Sequence, residues 1–114
     1  MVSVAAQRVT AYSIIREIGN EVLRNRILPE LEEDFTSHEF IKKLVFLFRE
    51  EYQRMQEAHA DCGESAHRNQ IISRLIGLYL WRNSRELHIE RVGTLSSKNI
   101  NYTSSIATVW HKTL

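Results

Sequence analysis

Apolar residues in the first quarter of the chain recur at the spacing of a helix. Five of them fall at offsets of 0, 3, 4, 7 and 11 residues, which places them on one helical stripe. These residues are Ala11, Ile14, Ile15, Ile18 and Val22. The pattern predicts a first helix from about Val4 to Ile27, which Pro29 ends, with residues 30–34 as the connection. Gly19 lies inside this helix and either weakens it by about 1 kcal/mol or permits a close helix contact.

The second helix carries the strongest start signal in the sequence. Thr36 and Glu39 have the spacing of a capping box, in which each side chain accepts a hydrogen bond from the backbone N–H of the other residue. Phe35 and Phe40 occupy the two positions of a hydrophobic staple around this start. Apolar residues continue beyond it at helical spacing, so the pattern predicts one helix to about His59.

The third predicted helix is apolar toward its end and polar at its start. It runs from Ser65, a suitable N-cap, to about Asn83. Trp81 widens the apolar stripe of the C-terminal half, and we expect it to be a core residue. The first turns carry two cations and no acid. The polar residues there are His67, Arg68, Asn69, Gln70, Ser73 and Arg74.

After Ser84 the hydrophobic period changes from helical to alternating, which is typical of strands. Residues 87–92 and 106–111 alternate, and a polar segment without acids, residues 93–105, separates them. The pattern predicts a C-terminal β-hairpin over about residues 86–112 with a long tip. Because two strands alone are marginal in water, we expect Trp110 and Trp81 to pack this hairpin on a helical core of about residues 4–83.

Composition indicates one domain, residues 1–114, of the mainly α, α+β class. Hydrophobic residues make up 43% of the 114 and charged residues 25%, a mixture that excludes a disordered or collagen-like chain. The net charge of +1 divides unevenly, with −2 over residues 1–60 and +3 over residues 61–114. The C-terminal half is therefore the half that we expect to meet an anion.

Cysteine usage and the apolar runs bear on the compartment. Cys62 is the only cysteine, which rules out an internal disulfide and favours an intracellular protein. No apolar run approaches the ~20 residues that a membrane span needs. We therefore expect a soluble, cytoplasmic protein with no membrane partner.

Four segments between residues 36 and 112 define the order of the elements. They are TSHEFIKKL, SAHRNQIISRLIGLYLW, ELHIERVG and SIATVWHK. With three helices ahead of a hairpin that has a polar tip, this order resembles a winged-helix domain, in which the hairpin is called the wing. The resemblance implies that the third helix enters the major groove of double-stranded DNA and that the wing reaches the backbone or the minor groove. The DNA-binding residues it implies here are Arg68, Asn69, Gln70, Ser73 and Arg74 of the third helix, with Lys98 and Asn99 at the wing tip.

Other functions stay open at this point. Apolar residues near the start of the first helix lie beyond its main stripe and are suited to a homodimer seam. They are Val4, Ala5, Ala6 and Val9. A protein-interaction or structural module, as a homodimer, is therefore the main alternative to DNA binding. Tyr102, near Lys98, is suited to stacking on nucleic-acid bases, although a turn tyrosine is the commoner arrangement.

One cluster of residues resembles a set of metal ligands. It consists of His59, Asp61, Cys62 and His67, which follow one another between the second and third helices. Thiolate and imidazole ligands suit Zn²⁺, but the cluster lacks the paired C-x₂-C or H-x₃-H spacing of zinc sites. We therefore predict no metal and no cofactor, and zinc binding by this cluster is the alternative.

The sequence contains no recognised catalytic motif. It has no Gly-rich phosphate loop, no G-x-S-x-G and no H-E-x-x-H, so we expect a protein that is not an enzyme. The remaining histidines receive structural interpretations. We expect His38 at the surface in the first turn of the second helix, and His88 and His111 on the strands.

Overall fold

Helices form most of the fold, and a small antiparallel sheet completes it. The computed structural model describes residues 8–113, which contain six α-helices and three strands. The helices are α1 (Ala11–Ile18), α2 (Asn20–Val22), α3 (Ser37–Leu47), α4 (Arg49–Ala58), α5 (Ser65–Arg82) and α6 (Ser84–Leu87). The strands are β1 (Asp34–Thr36), β2 (Ile89–Lys98) and β3 (Ser104–Lys112). The α+β class with a C-terminal hairpin is therefore confirmed.

The first helical region is divided, so the prediction of one helix to Ile27 is wrong. Thr10 caps α1, because its hydroxyl oxygen accepts a hydrogen bond from the Ser13 backbone N–H at 3.2 Å. Gly19 ends α1 with φ +92°, a backbone conformation that residues with a Cβ rarely adopt. The chain then continues through α2 and a π-helical turn, Leu23–Ile27. The predicted start at Val4 lies outside the described residues, and residues 8–10 are not helical.

The start of α3 confirms the predicted capping box. The Thr36 hydroxyl accepts from the Glu39 N–H at 3.1 Å, and the Glu39 carboxylate accepts from the Thr36 N–H at 2.8 Å. The rings of Phe35 and Phe40 stack with their centroids 6.5 Å apart, as expected for a staple. A single helix to His59 is wrong, however, because Phe48 leaves the helical conformation (φ −124°, ψ 55°) and separates α3 from α4.

The sheet contains a third strand that was not predicted, since Asp34 was assigned to a connection and Phe35 and Thr36 to the start of a helix. β1 pairs with β3, and β3 pairs with β2, so the strand order is β1-β3-β2. The hairpin strands are also longer than expected, which leaves Asn99 to Thr103 as the tip instead of residues 93–105. Leu87 ends α6 and is not part of a strand.

The face that β3 turns toward the helices changes along its length. Trp110 is buried at one end, and Ala107, of opposite parity, is buried further toward the tip. Between these two positions β2 carries a bulge, since Arg91 pairs with Trp110 while Gly93 pairs with Val109. A bulge increases the local twist of a sheet, which accounts for the change of buried face.

Of the two tryptophans, one packs in the core and the other does not. Trp110 is 1% exposed, and its indole N–H donates to the Ser37 hydroxyl at 2.9 Å. Trp81 is 63% exposed, so its predicted core position is wrong. Leu80 is the buried residue at that end of α5, and one step of about 100° around the helix carries Trp81 out of the core.

Helix length and apolar composition also bear on membrane insertion. Within residues 8–113, no helix is both long and apolar enough to span a bilayer.

Of the apolar residues suggested as a dimer seam, Val9 is exposed, and Val4, Ala5 and Ala6 lie outside the described residues.

Candidate functional site

A cavity lies between α5 and the hairpin, where the sequence analysis placed the candidate binding surface. Its volume is about 380 Å³, and α3, α5, the hairpin tip and β3 all contribute to its wall. We call it the α5–hairpin cavity. Gln70, Ser73 and Arg74 line it from α5, and Asn99 and Asn101 line it from the tip.

The wall of the α5–hairpin cavity combines polar side chains with four apolar ones, and among the described residues it contains no acid. Apart from a few apolar residues, its side chains are neutral hydroxyls and amides, one histidine and the guanidinium of Arg74. Gln70, Ser73 and Arg74 follow one another at i, i+3 and i+4, so they share one face of α5. A cation and several neutral donors without a competing carboxylate suit an anionic or strongly polar ligand.

Four of the seven predicted site residues meet at this cavity. They are Gln70, Ser73, Arg74 and Asn99. The other three, Arg68, Asn69 and Lys98, do not line it. Arg68 is half-buried, and its Nε lies within the protein without a hydrogen-bond partner among the described residues. Lys98 is exposed at the end of β2, next to the tip.

Asn69 joins three parts of the molecule through its side chain. Its Oδ1 accepts from the Tyr52 hydroxyl at 3.0 Å and from the Gln56 amide at 3.4 Å. Its Nδ2 donates to Asn101 Oδ1 at 3.2 Å. Burial raises the pKa of the Tyr52 hydroxyl to about 12, so this donor keeps its proton throughout the neutral range. Asn69 therefore connects α4 and α5 to the hairpin tip.

Asn99 builds the tip from inside. It is buried, and its Oδ1 accepts from the backbone N–H groups of Asn101 at 2.8 Å and Thr103 at 3.2 Å. Its Nδ2 donates to the Ser105 hydroxyl at 3.2 Å. These bonds use the polar atoms of Asn99 within the turn itself. The residue therefore shapes the hairpin tip and has little capacity left for a ligand.

The tip is also fixed to α5. Asn101 Nδ2 donates to the carbonyl oxygen of Ala66, in the first turn of α5, at 3.0 Å. Tyr102 follows in the left-handed conformation, with φ +62°, and its side chain is 79% exposed. A bulky residue in this conformation is uncommon, and here the surrounding Asn99 and Asn101 bonds hold it.

His38, which was expected at the surface, is buried against the hairpin. Its Nδ1 lies 2.7 Å from the Ser97 hydroxyl, and its Nε2 lies 3.3 Å from the Ser105 hydroxyl. Burial lowers the pKa of His38, and the charge of Lys42 lowers it further. No local pattern indicates this contact, because it depends on β1 bringing the start of α3 to the sheet.

His88 and His111, which were both expected on strands, lie in different kinds of backbone structure. His88 follows α6 in the left-handed conformation with φ 59° and is not a strand residue. His111 lies on β3 and bonds to Asp34 of β1. This hydrogen bond raises the pKa of the exposed His111.

Cys62 lies near two of the other suggested metal ligands, His59 and Asp61, but both of these also bond to residues outside the cluster. His59 is buried, and its Nε2 accepts from the Ala11 backbone N–H at 3.0 Å. Burial, followed by the charge of Arg8, lowers the pKa of His59. Asp61 pairs with Arg8 at 3.6 Å, and Cys62 Sγ lies 3.9 Å from His59 Nδ1. In residues 8–113 no group of three or more His, Cys, Asp or Glu side chains is arranged to hold a metal ion.

Searches against protein-family models, curated proteins and solved structures find no match to this chain. The winged-helix resemblance thus rests on the order of the elements alone.

Proposed function

We propose that this chain binds nucleic acid, without catalysing a reaction, along the α5–hairpin cavity in the manner of a winged-helix domain. The observation that carries the proposal is the shared wall: Gln70, Ser73 and Arg74 of α5 face the same acid-free cavity as the hairpin tip. A single polyanionic partner would therefore meet the helix and the wing together.

The side chains on α5 have the chemistry that base and phosphate recognition requires. The Arg74 guanidinium can pair with a phosphate, or in bidentate fashion with guanine O6 and N7. The Gln70 amide can pair with adenine, and the Ser73 hydroxyl can serve as donor or acceptor. Lys98, exposed beside the tip, supplies a second cation for the phosphate backbone.

Asn69 and Asn99 have a positioning role in this proposal. Their polar atoms are occupied by bonds that connect α5 to the tip and close the turn. The distance between helix and wing is then set before the partner arrives. Preorganisation of this kind lowers the entropic cost of binding.

Double-stranded DNA is the partner that the resemblance implies, and it provides the test. Fluorescence anisotropy with a labelled duplex should give a lower affinity for Arg74→Ala than for the wild type. Arg49→Ala is the matched control, because Arg49 is an exposed cation on α4 that does not line the cavity. Equal affinities of the two variants would contradict the proposal.

A second function, docking of an extended peptide, is favoured by the open edge of β3. β1 pairs with residues 109–111 only, so among the described residues no strand covers residues 104–108 on that side. An exposed strand edge can accept a peptide as an additional strand. Ile106 is exposed on β3 beside this edge and could contribute an apolar contact. Binding of an extended peptide whose affinity does not fall at high salt would favour this function over nucleic-acid binding.

A further inference from the structure

A second cavity lies where the first helical region meets α6 and the end of β3. Its volume is about 340 Å³, and it shares no lining residue with the α5–hairpin cavity. Arg24 and Lys112 line it, and we call it the Arg24–Lys112 cavity. Leu28, Pro29, Leu87 and His88 complete most of its wall.

The two cations are held in place but are not neutralised. Arg24 Nη1 donates to the carbonyl oxygen of Glu86 at 2.5 Å, and Lys112 Nζ donates to that of Leu31 at 2.6 Å. The ion pairs found among residues 8–113 join other residues, and no Asp or Glu side chain lines the cavity. Each cation uses one N–H group to bond a carbonyl oxygen. Four N–H groups on the guanidinium and two on the ammonium therefore stay available to a ligand.

The rest of the cavity is largely apolar. Leu28 and Leu87 are buried and belong to the hydrophobic core. The Nδ1 atom of His88 is also buried here and has no hydrogen-bond partner among the described residues. An apolar floor beside two unneutralised cations is the usual composition of a site for a small amphipathic ligand.

We propose that the Arg24–Lys112 cavity binds a small organic anion. Its carboxylate or phosphate monoester group would accept hydrogen bonds from Arg24 and Lys112, and its apolar body would cover Pro29 and the small exposed part of Leu28. Both anions accept charge-assisted hydrogen bonds from guanidinium and ammonium groups. The site is independent of nucleic-acid binding, because it uses none of the residues assigned to that function.

The first arm of the test uses the wild-type protein with four probes. Benzoate and phenyl phosphate carry an anion on an apolar ring, benzamide is the neutral counterpart, and inorganic phosphate lacks the apolar body. In NMR titrations, saturable shifts of the backbone amides of Leu87, His88 and Lys112 with benzoate or phenyl phosphate are the expected result. The tighter of these two probes identifies the anionic group. Equal binding of benzamide, equal binding of inorganic phosphate, or no saturable shift would each overturn the proposal.

The second arm replaces the cations. Arg24→Gln and Lys112→Gln should each weaken binding of the better probe by about tenfold or more, since each removes charge-assisted hydrogen bonds. Arg26→Gln is the matched control, because it removes the same charge from a side chain that lies over the Phe48 ring instead. Unchanged binding by both cavity variants would overturn the proposal. If a cavity variant does not fold, the difference in affinity between benzoate and benzamide for the wild-type protein still tests whether the cavity prefers an anion.

Discussion

Asn69 on α5 donates a hydrogen bond to Asn101 at the hairpin tip across 3.2 Å. The two residues lie 32 positions apart in the chain, and Asn101 lines the α5–hairpin cavity. Asn101 strengthens the connection by donating in turn to the Ala66 carbonyl. Helix α5 and the hairpin tip therefore form one surface, although the sequence separates them.

Replacing Asn101 should loosen this surface without removing a charge. We expect Asn101→Ala to lose two hydrogen bonds and to destabilise the protein by about 1 kcal/mol. DNA affinity should fall while its salt dependence stays as in the wild type, because no phosphate contact is removed. Gln53→Ala, an exposed amide on α4, is the control for both measurements. A changed salt slope for Asn101→Ala would contradict this prediction, because it would show that the phosphate contacts of the cations depend on Asn101.

Acidification should destabilise the protein through His38 and His59. Burial lowers the pKa of both residues from 6.5, so the unfolded chain binds protons that the folded chain does not. The free energy of unfolding therefore falls as the pH drops below about 6.5. Protonation of His59 would also remove the acceptor of the Ala11 N–H.

Thermal melts at about pH 7.5 and pH 5.5 measure this dependence. The melting temperature should be lower at the acidic pH, and the double variant His38→Gln/His59→Gln should show a smaller difference. His67→Gln, at an exposed position, should behave as the wild type. The pKa of His111 shifts in the opposite direction, so its contribution is present at low pH and is lost as the pH rises. The same pH dependence of the melting temperature in the double variant as in the wild type would contradict the assignment to His38 and His59.

The two tryptophans should respond very differently to truncation. Trp110→Ala removes a fully buried ring and should cost about 3–5 kcal/mol of stability. Trp81→Ala affects an exposed ring and should stay within about 0.5 kcal/mol of the wild type. Urea denaturation measures both. A large loss for Trp81→Ala would mean that its ring is covered in solution.

Two glycines form a second matched pair. Gly19 has φ +92° and ψ 151°, so Gly19→Ala should destabilise the protein by about 1–3 kcal/mol. Gly77 lies in α5, and an added Cβ there would meet nothing within 4 Å, so Gly77→Ala should stabilise the protein by about 0.5–1 kcal/mol. The same denaturation measurements compare them. Stabilisation by Gly19→Ala would contradict the break between α1 and α2.

Interactions between close neighbours in the sequence were predictable. The capping box of Thr36 and Glu39 depends on residues three apart, and the structure confirms it. β1 was not predictable in this way, because Asp34 becomes a strand residue only by pairing with His111, 77 positions away. The burial of His38 follows from that pairing. The exposure of Trp81 was missed for the same reason, since hydrophobic period alone does not define which face a neighbouring element covers.

The candidate site was likewise predictable only where it depends on residues close together in the sequence. The polar, acid-free face of α5 follows from helical spacing, and the structure brings Gln70, Ser73 and Arg74 to one cavity. The internal bonds of Asn69 and Asn99 depend on how the tip folds against α5, which no local pattern reports. The winged-helix resemblance implies that these two asparagines contact DNA, whereas their bonds within the protein favour a positioning role.

A salt series of duplex affinity tests the central claim most directly. If Arg74 and Lys98 each neutralise a phosphate, log Kobs should fall linearly with log salt with a slope of about −2. Arg74→Ala should reduce the magnitude of that slope by about 1. Affinity that is independent of salt, or the same slope in Arg74→Ala as in the wild type, would contradict nucleic-acid binding by the α5–hairpin cavity.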